Sequence, residues 1–248
     1  MGLFIVLYLL LLPSVALYIH AKHSGGSNAP LAVGVKAWST ALIVLAALVC
    51  TAAVPAPLRL YAVLVTAGLV FGLIGDVVIC QPSAGGFLSG MIFFALGHLC
   101  YIGAFAHLST RRLWAIPVFV VAYLPVLVLL CRIGRAKPKM RKMLVPCAVY
   151  AAIIITMLSL AVTMAFSGLE PLGGVAVAAA GVLFVLSDSL LAYQTLKYKL
   201  TADGASFLQG YHGAYQDKGR RRLDAFTLYC YYIGQSLFAL SVWLLQSI

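Results

Sequence analysis

Eight runs of roughly twenty apolar residues follow one another along this 248-residue chain, separated by short polar breaks. No other feature constrains the fold as strongly. A helix needs about 20 mostly apolar residues to cross the hydrocarbon core of a bilayer, and lipid offers no partner for a bare backbone N–H or C=O. The runs are therefore read as transmembrane helices near 3–20, 31–54, 58–80, 86–108, 111–131, 143–166, 171–196 and 224–247. With 63% hydrophobic and 9% charged residues, the composition lies outside the range of soluble domains. The expected fold is all-α, a polytopic eight-helix transmembrane bundle forming a single domain over 1–248. Any chemistry must then happen inside the bundle or at its rim.

The first run, "MGLFIVLYLLLLPSVALYIH", has no basic residue before it, and Lys22 follows it, so it reads as a retained helix rather than a cleaved leader. Position 6 is Val, not the Ser or Thr of a myristoylation signal. The six cysteines form no Cys-x-x-Cys pair and lie in or beside apolar runs, which predicts neither a disulfide framework nor a zinc site.

A net charge of +11 invites a nucleic-acid reading, but the placement of the charge argues for topology instead. Thirteen of the seventeen Lys and Arg residues fall on one set of alternate loops: Lys22, the stretch Arg132 to Lys142, and Lys197 to Arg222. By the positive-inside rule that side faces the cytosol, both termini face the lumen or the outside, and no nucleic-acid partner is expected. The same charge would attract anionic lipid headgroups. Two loops, 131–143 and 197–223, are long and polar, and the second is expected to be partly disordered or to lie on the membrane.

Of six acidic residues, Glu170, Asp203, Asp217 and Asp224 fall in loops or at helix ends, whereas Asp76 and Asp188 sit inside apolar runs. A carboxylate at a helix centre costs about 2.5–3.5 kcal/mol on insertion scales. Such a cost points to function, the alternative being an aspartate that glues helices together. The segments around the two aspartates, "AGLVFGLIGDVVI" and "AAAGVLFVLSDSLL", resemble each other and run in the same direction. One hypothesis is thus a parallel four-plus-four repeat with the site between its halves.

Asp76 is expected about one turn, and Asp188 about two turns, from the cytosolic ends of their helices. Lys36, Tyr150, Tyr232 and Gln235 fall at similar depth, with His98 deeper and Tyr101 three residues on along the same face. Each has a plain structural reading: snorkelling for Lys36, belt positions for the tyrosines, a satisfied interior position for His98. The glycines 68, 72, 86 and 90 form small-x-x-x-small pairs that let helices approach. His-Glu-x-x-His, Gly-x-Ser-x-Gly and Gly-rich phosphate-loop motifs do not occur. Two carboxylates with a Lys, a His and tyrosines suit acid-base chemistry without metal or other cofactor. The same pair would also suit a proton-coupled transporter or a lipid-binding protein that uses Asp76 and Asp188 as a relay.

At these residues the sequence resembles the YhhN family of eight-helix membrane proteins, whose characterised animal members are lysoplasmalogenases. The resemblance rests on "GLIGDVVI", on "FLSGMIFFALGHLCYIGAF", on "YAAIIITM", and on "GVLFVLSDSLLA" with "YCYYIGQSLFALS". In "VKAWS", Ala37 stands where family members usually have proline after the lysine. The resemblance implies hydrolysis of the sn-1 vinyl ether of an alkenyl lysophospholipid, giving a fatty aldehyde and glycerophosphocholine or glycerophosphoethanolamine. Asp76 and Asp188 would be catalytic, with the deeper Asp188 favoured as the acid. Lys36 would hold the headgroup phosphate or keep the other aspartate ionised. His98, Tyr101, Tyr150, Tyr232 and Gln235 would position water and the glycerol hydroxyl. The implied partners are the membrane and a lysophospholipid entering from the cytosolic leaflet, a homodimer being allowed. In a eukaryote the implied membrane is that of the endoplasmic reticulum.

Overall fold

The computed structural model describes residues 2–81, 84–136, 141–195 and 217–247. Among them are eight long helices and no strand: α1 Gly2–Gly25, α2 Pro30–Ala53, α3 Arg59–Val78, α4 Ala84–Leu108, α5 Ala115–Ala136, α6 Arg141–Met164, α7 Pro171–Gln194 and α8 Lys218–Leu244. All eight are long and apolar enough to cross a membrane, and the protein is a multi-pass integral membrane protein.

The helix ends differ from the apolar runs where charge begins. Helix α8 starts at Lys218 rather than near 224, because Asp217 caps it, its carboxylate accepting from the backbone N–H of Gly219 (3.0 Å) and of Arg220 (3.3 Å). The "KGRRR" turn is thereby helical although it is not apolar. Helix α5 likewise continues past 131 through Arg132 and Arg135, and α1 runs past 20 to Gly25, where Gly26 turns the chain at φ 88°. Hydropathy marks where a helix meets lipid, while backbone hydrogen bonding marks where it ends. The expectation for the 197–223 loop lies outside the described residues from 196 to 216.

Packing follows one neighbour order in both halves. Helix α3 packs most closely on α4 and α7 on α8, with α1 on α2 matched by α5 on α6, and α2 on α3 matched by α6 on α7. The cross-contacts α4 with α6 and α8 with α2 are also equivalent under exchange of halves. Helix α5 is the outlier, lying at the edge with few of its described residues fully buried.

The tight α3–α4 contact comes from missing side chains. A Cβ on Gly68 would lie 2.5 Å from the Tyr101 ring, and one on Gly97 would lie 2.9 Å from the Gly68 carbonyl oxygen. Beneath this contact Tyr101, Phe105, Phe184 and Phe238 form a buried aromatic layer, with Tyr101 and Phe238 centroids 4.5 Å apart. At one end of the bundle Asp224 of α8 joins Lys22 (2.6 Å) and His23 (3.0 Å) of α1, tying first helix to last. The aromatic layer forms a floor at mid-bundle, and Lys36, Asp76, Tyr150, Asp188 and Tyr231 lie on the side of it where odd helices end and even helices begin.

Candidate functional site

Asp76 sits in the last turn of α3, 1% exposed, and every contact of its carboxylate is made by another helix. From α2, Lys36 places Nζ 2.9 Å from Oδ1, an ion pair in which Oδ1 accepts no aligned hydrogen bond. One turn further along α2, Thr40 donates to Oδ2 at 2.5 Å, and from α8 Tyr231 donates to the same oxygen at 2.8 Å. Gln235, one turn beyond Tyr231 and fully buried, brings its amide Nε2 2.6 Å from the Tyr231 hydroxyl. Room for this amide exists because position 72 is glycine: a Cβ there would lie 2.9 Å from Gln235 Nε2.

Asp188 sits on α7, six residues before that helix ends, and is only half-buried. Its hydrogen-bond partner among the described residues is the hydroxyl of Tyr150 from α6, which donates to Oδ2 in a short contact. Behind Tyr150, His98 of α4 places Nε2 3.3 Å from the phenolic oxygen, while its Nδ1 is buried without a partner. Among the described residues no cation pairs with Asp188.

Two arms therefore converge on the inner face of α7: Gln235–Tyr231–Asp76–Lys36 and His98–Tyr150–Asp188. Phe184, one turn before Asp188, separates them, presenting T-shaped contacts to His98 (centroids 5.0 Å apart) and to Tyr231 (5.5 Å).

Seven of the eight residues singled out from sequence fall in or against these arms. Tyr232 lines the Asp76 side, its ring edge-on to Tyr231 (5.2 Å) and to Tyr18 (6.3 Å), with its hydroxyl buried beside Thr40. Tyr101 belongs instead to the aromatic floor: it stands 6.1 Å from the His98 ring, stacks on Phe105 and lies tilted against Phe238. Lys36 is committed to Asp76, so of its two expected tasks the geometry favours charge balance over headgroup binding. Thr40, Tyr231 and Phe184 are the site residues sequence reasoning passed over. Helical spacing carries a signal for each: Thr40 is four residues after Lys36, Tyr231 four before Gln235, and Phe184 four before Asp188.

No group of three or more His, Cys, Asp or Glu side chains is placed to hold a metal ion among the described residues. The arrangement supplies one carboxylate with cationic and hydroxyl partners, a second held by a single phenol, and a chain of exchangeable protons behind each. Neither the curated proteins nor the solved structures give a match to this chain. The YhhN family model matches residues 31–242, a span that takes in both arms entire, and the protein belongs to the YhhN family.

Proposed function

We propose that the protein is a lysoplasmalogenase, hydrolysing the sn-1 vinyl ether of alkenyl lysophospholipids to a fatty aldehyde and glycerophosphocholine or glycerophosphoethanolamine. The observation that carries this reading is the unequal provision of the two carboxylates. Asp76 has an ammonium and two hydroxyl donors, whereas Asp188 has one phenol and no cation among the described residues. Membership of the YhhN family is compatible with a hydrolase of this kind.

A vinyl ether is an enol ether, so the difficult step is protonation of the carbon β to the ether oxygen. That carbon takes a proton, the double-bond electrons form the new C–H bond, and the ether oxygen shares the positive charge as an oxocarbenium ion. Asp188 is the acid, since no ammonium among the described residues holds its charge and Tyr150 can accept or donate as its proton leaves and returns. Asp76, its charge balanced by Lys36, is the fixed anion facing the cation. Glycosidases divide two carboxylates in a related way against a similar cation. Water then adds to the oxocarbenium carbon, and its surplus proton returns to Asp188. The resulting hemiacetal collapses with transfer of its hydroxyl proton to the leaving glycerol oxygen. The balance is one water consumed, one aldehyde and one alcohol formed, with Asp188 again protonated.

Several other residues support the scheme. His98 backs Tyr150, Tyr232 and Gln235 bring neutral hydrogen-bonding groups to the Asp76 side, and Tyr101 closes the floor beneath. The substrate would enter from the cytosolic leaflet, its alkenyl chain lying in the apolar bundle; in a eukaryotic cell the membrane would be that of the endoplasmic reticulum. Both aspartate helices run unbroken, α3 over Arg59–Val78 and α7 over Pro171–Gln194, unlike the interrupted helices common at transporter sites. The test is direct. Purified protein in detergent is given 1-alkenyl lysophospholipid and its saturated 1-alkyl analogue, and aldehyde is measured. Release from the alkenyl lipid alone is expected; release from neither lipid sinks the proposal.

A further inference from the structure

The hydrogen bonds around Asp76 have only one consistent direction. Paired with the ammonium of Lys36, Asp76 is a carboxylate, and a carboxylate only accepts. Tyr231, 2.8 Å from Oδ2, must spend its single proton on that bond. The phenolic oxygen can then only accept from Gln235, which identifies the atom 2.6 Å away as the amide nitrogen and turns Oε1 away from the arm. Gln235 is 0% exposed, and its Oε1 is buried without a hydrogen-bond partner. Buried acceptors are nearly always satisfied, so this one calls for a donor that the chain itself does not provide among the described residues.

The donor's chemistry follows from its surroundings. An anion would bring only acceptors to an acceptor. A cation would duplicate the charge that Lys36 already supplies to Asp76. What fits is a neutral O–H. We propose that Gln235 Oε1 accepts a hydrogen bond from the free sn-2 hydroxyl of the lysophospholipid, and so makes the site select lipids with one chain over those with a substituted second position. This rests on the reading of the site as a lysophospholipid hydrolase and names the residue that reads the lyso state. An ester or ether at sn-2 presents no proton to Oε1. Sites built to hydrogen-bond a hydroxyl reject analogues lacking it far more strongly than apolar pockets reject an extra methyl group.

The experiment uses two matched pairs of glycerophosphocholines with the full-length protein in detergent. The uncleavable pair is 1-alkyl-2-hydroxy and 1-alkyl-2-methoxy; the cleavable pair carries a 1-alkenyl chain instead. Wild-type protein is expected to bind the 2-hydroxy member of the uncleavable pair at least ~100-fold more tightly. In Gln235→Met the preference should shrink towards unity through weaker binding of the 2-hydroxy lipid alone. Equal binding of both lipids by wild type, as if Oε1 simply held an internal water, overturns the assignment. A preference that survives in Gln235→Met overturns it too. If Gln235→Met does not fold, the wild-type ratio decides alone. Aldehyde released equally from both alkenyl lipids would leave hydrolysis standing and overturn the role of Gln235. A hydroxyl preference in the uncleavable pair with no aldehyde from either alkenyl lipid would support the role of Gln235 while removing the hydrolase.

Discussion

Asp76 and Asp188 both lie near the C-terminal end of an apolar helix, yet among the described residues one carboxylate meets three side chains and the other a single phenol. Three side chains from two other helices meet the Asp76 carboxylate, and it is 1% exposed. Asp188 is half-buried and meets a single phenol among the described residues. The difference lies in what each can do with a proton. Around Asp76 the ion pair fixes the direction of every hydrogen bond, so that arm is a rigid electrostatic element. Around Asp188 the Tyr150 hydroxyl and the His98 imidazole can each donate or accept, so the direction of that arm can reverse. A carboxylate that must give and recover a proton needs the second environment; one that must stay charged needs the first.

Substitutions that break this contrast should separate activity from stability. The largest effect is expected from Asp188→Asn, which keeps an acceptor for Tyr150 but removes the acid: aldehyde release should fall by about 10³-fold, within the range of general acid catalysis, with little change in thermal midpoint. Undiminished release would remove Asp188 from the chemistry. Asp76→Asn should instead be felt mainly as instability, since it strands Lys36 in a buried site, and losses of this kind run to about 3–5 kcal/mol. Denaturation in detergent would read the loss. The paired change Lys36→Met with Asp76→Leu should recover much of the stability while leaving hydrolysis abolished, a combination that purely structural glue would not give. Tyr150→Phe removes the one donor to Asp188 among the described residues and should slow turnover by about 10- to 100-fold, as expected for a hydrogen bond to a charged group. Turnover unaffected by Tyr150→Phe would mean that Asp188 exchanges its proton by another route. The smallest effect concerns the floor beneath both arms: a Cβ in Gly68→Ala would lie 2.5 Å from the Tyr101 ring, and overpacking of this sort costs about 1–3 kcal/mol, readable as a lowered thermal midpoint.

The parts of the site legible in the sequence were those that are expensive in lipid. Asp76, Asp188 and Lys36 each announce themselves because a charge in an apolar run is costly. Thr40 and Tyr231 do not, because a hydroxyl can bond its own helix backbone or sit at an interface at small cost, and membrane helices contain many of each. In "YCYYIGQS" two adjacent tyrosines were available, and residue type could not say which faced the carboxylate; the four-residue spacing to Gln235 favours Tyr231, and the geometry agrees. Phe184 was less visible still. An aromatic among apolar residues carries no signal until its neighbours are known.

By itself the sequence determined that this chain crosses a membrane as eight helices and that two carboxylates lie inside it. Both follow from transfer free energies that depend on residue type and run length, quantities local to the chain. Which carboxylate is paired with a cation, which is held by a phenol, and which tyrosine meets each were decided only by tertiary structure. Those outcomes depend on distances of about 3 Å between residues as far apart in sequence as Asp76 and Tyr231, and such distances are set by how closely helices without side chains at Gly68, Gly72 and Gly97 can pack.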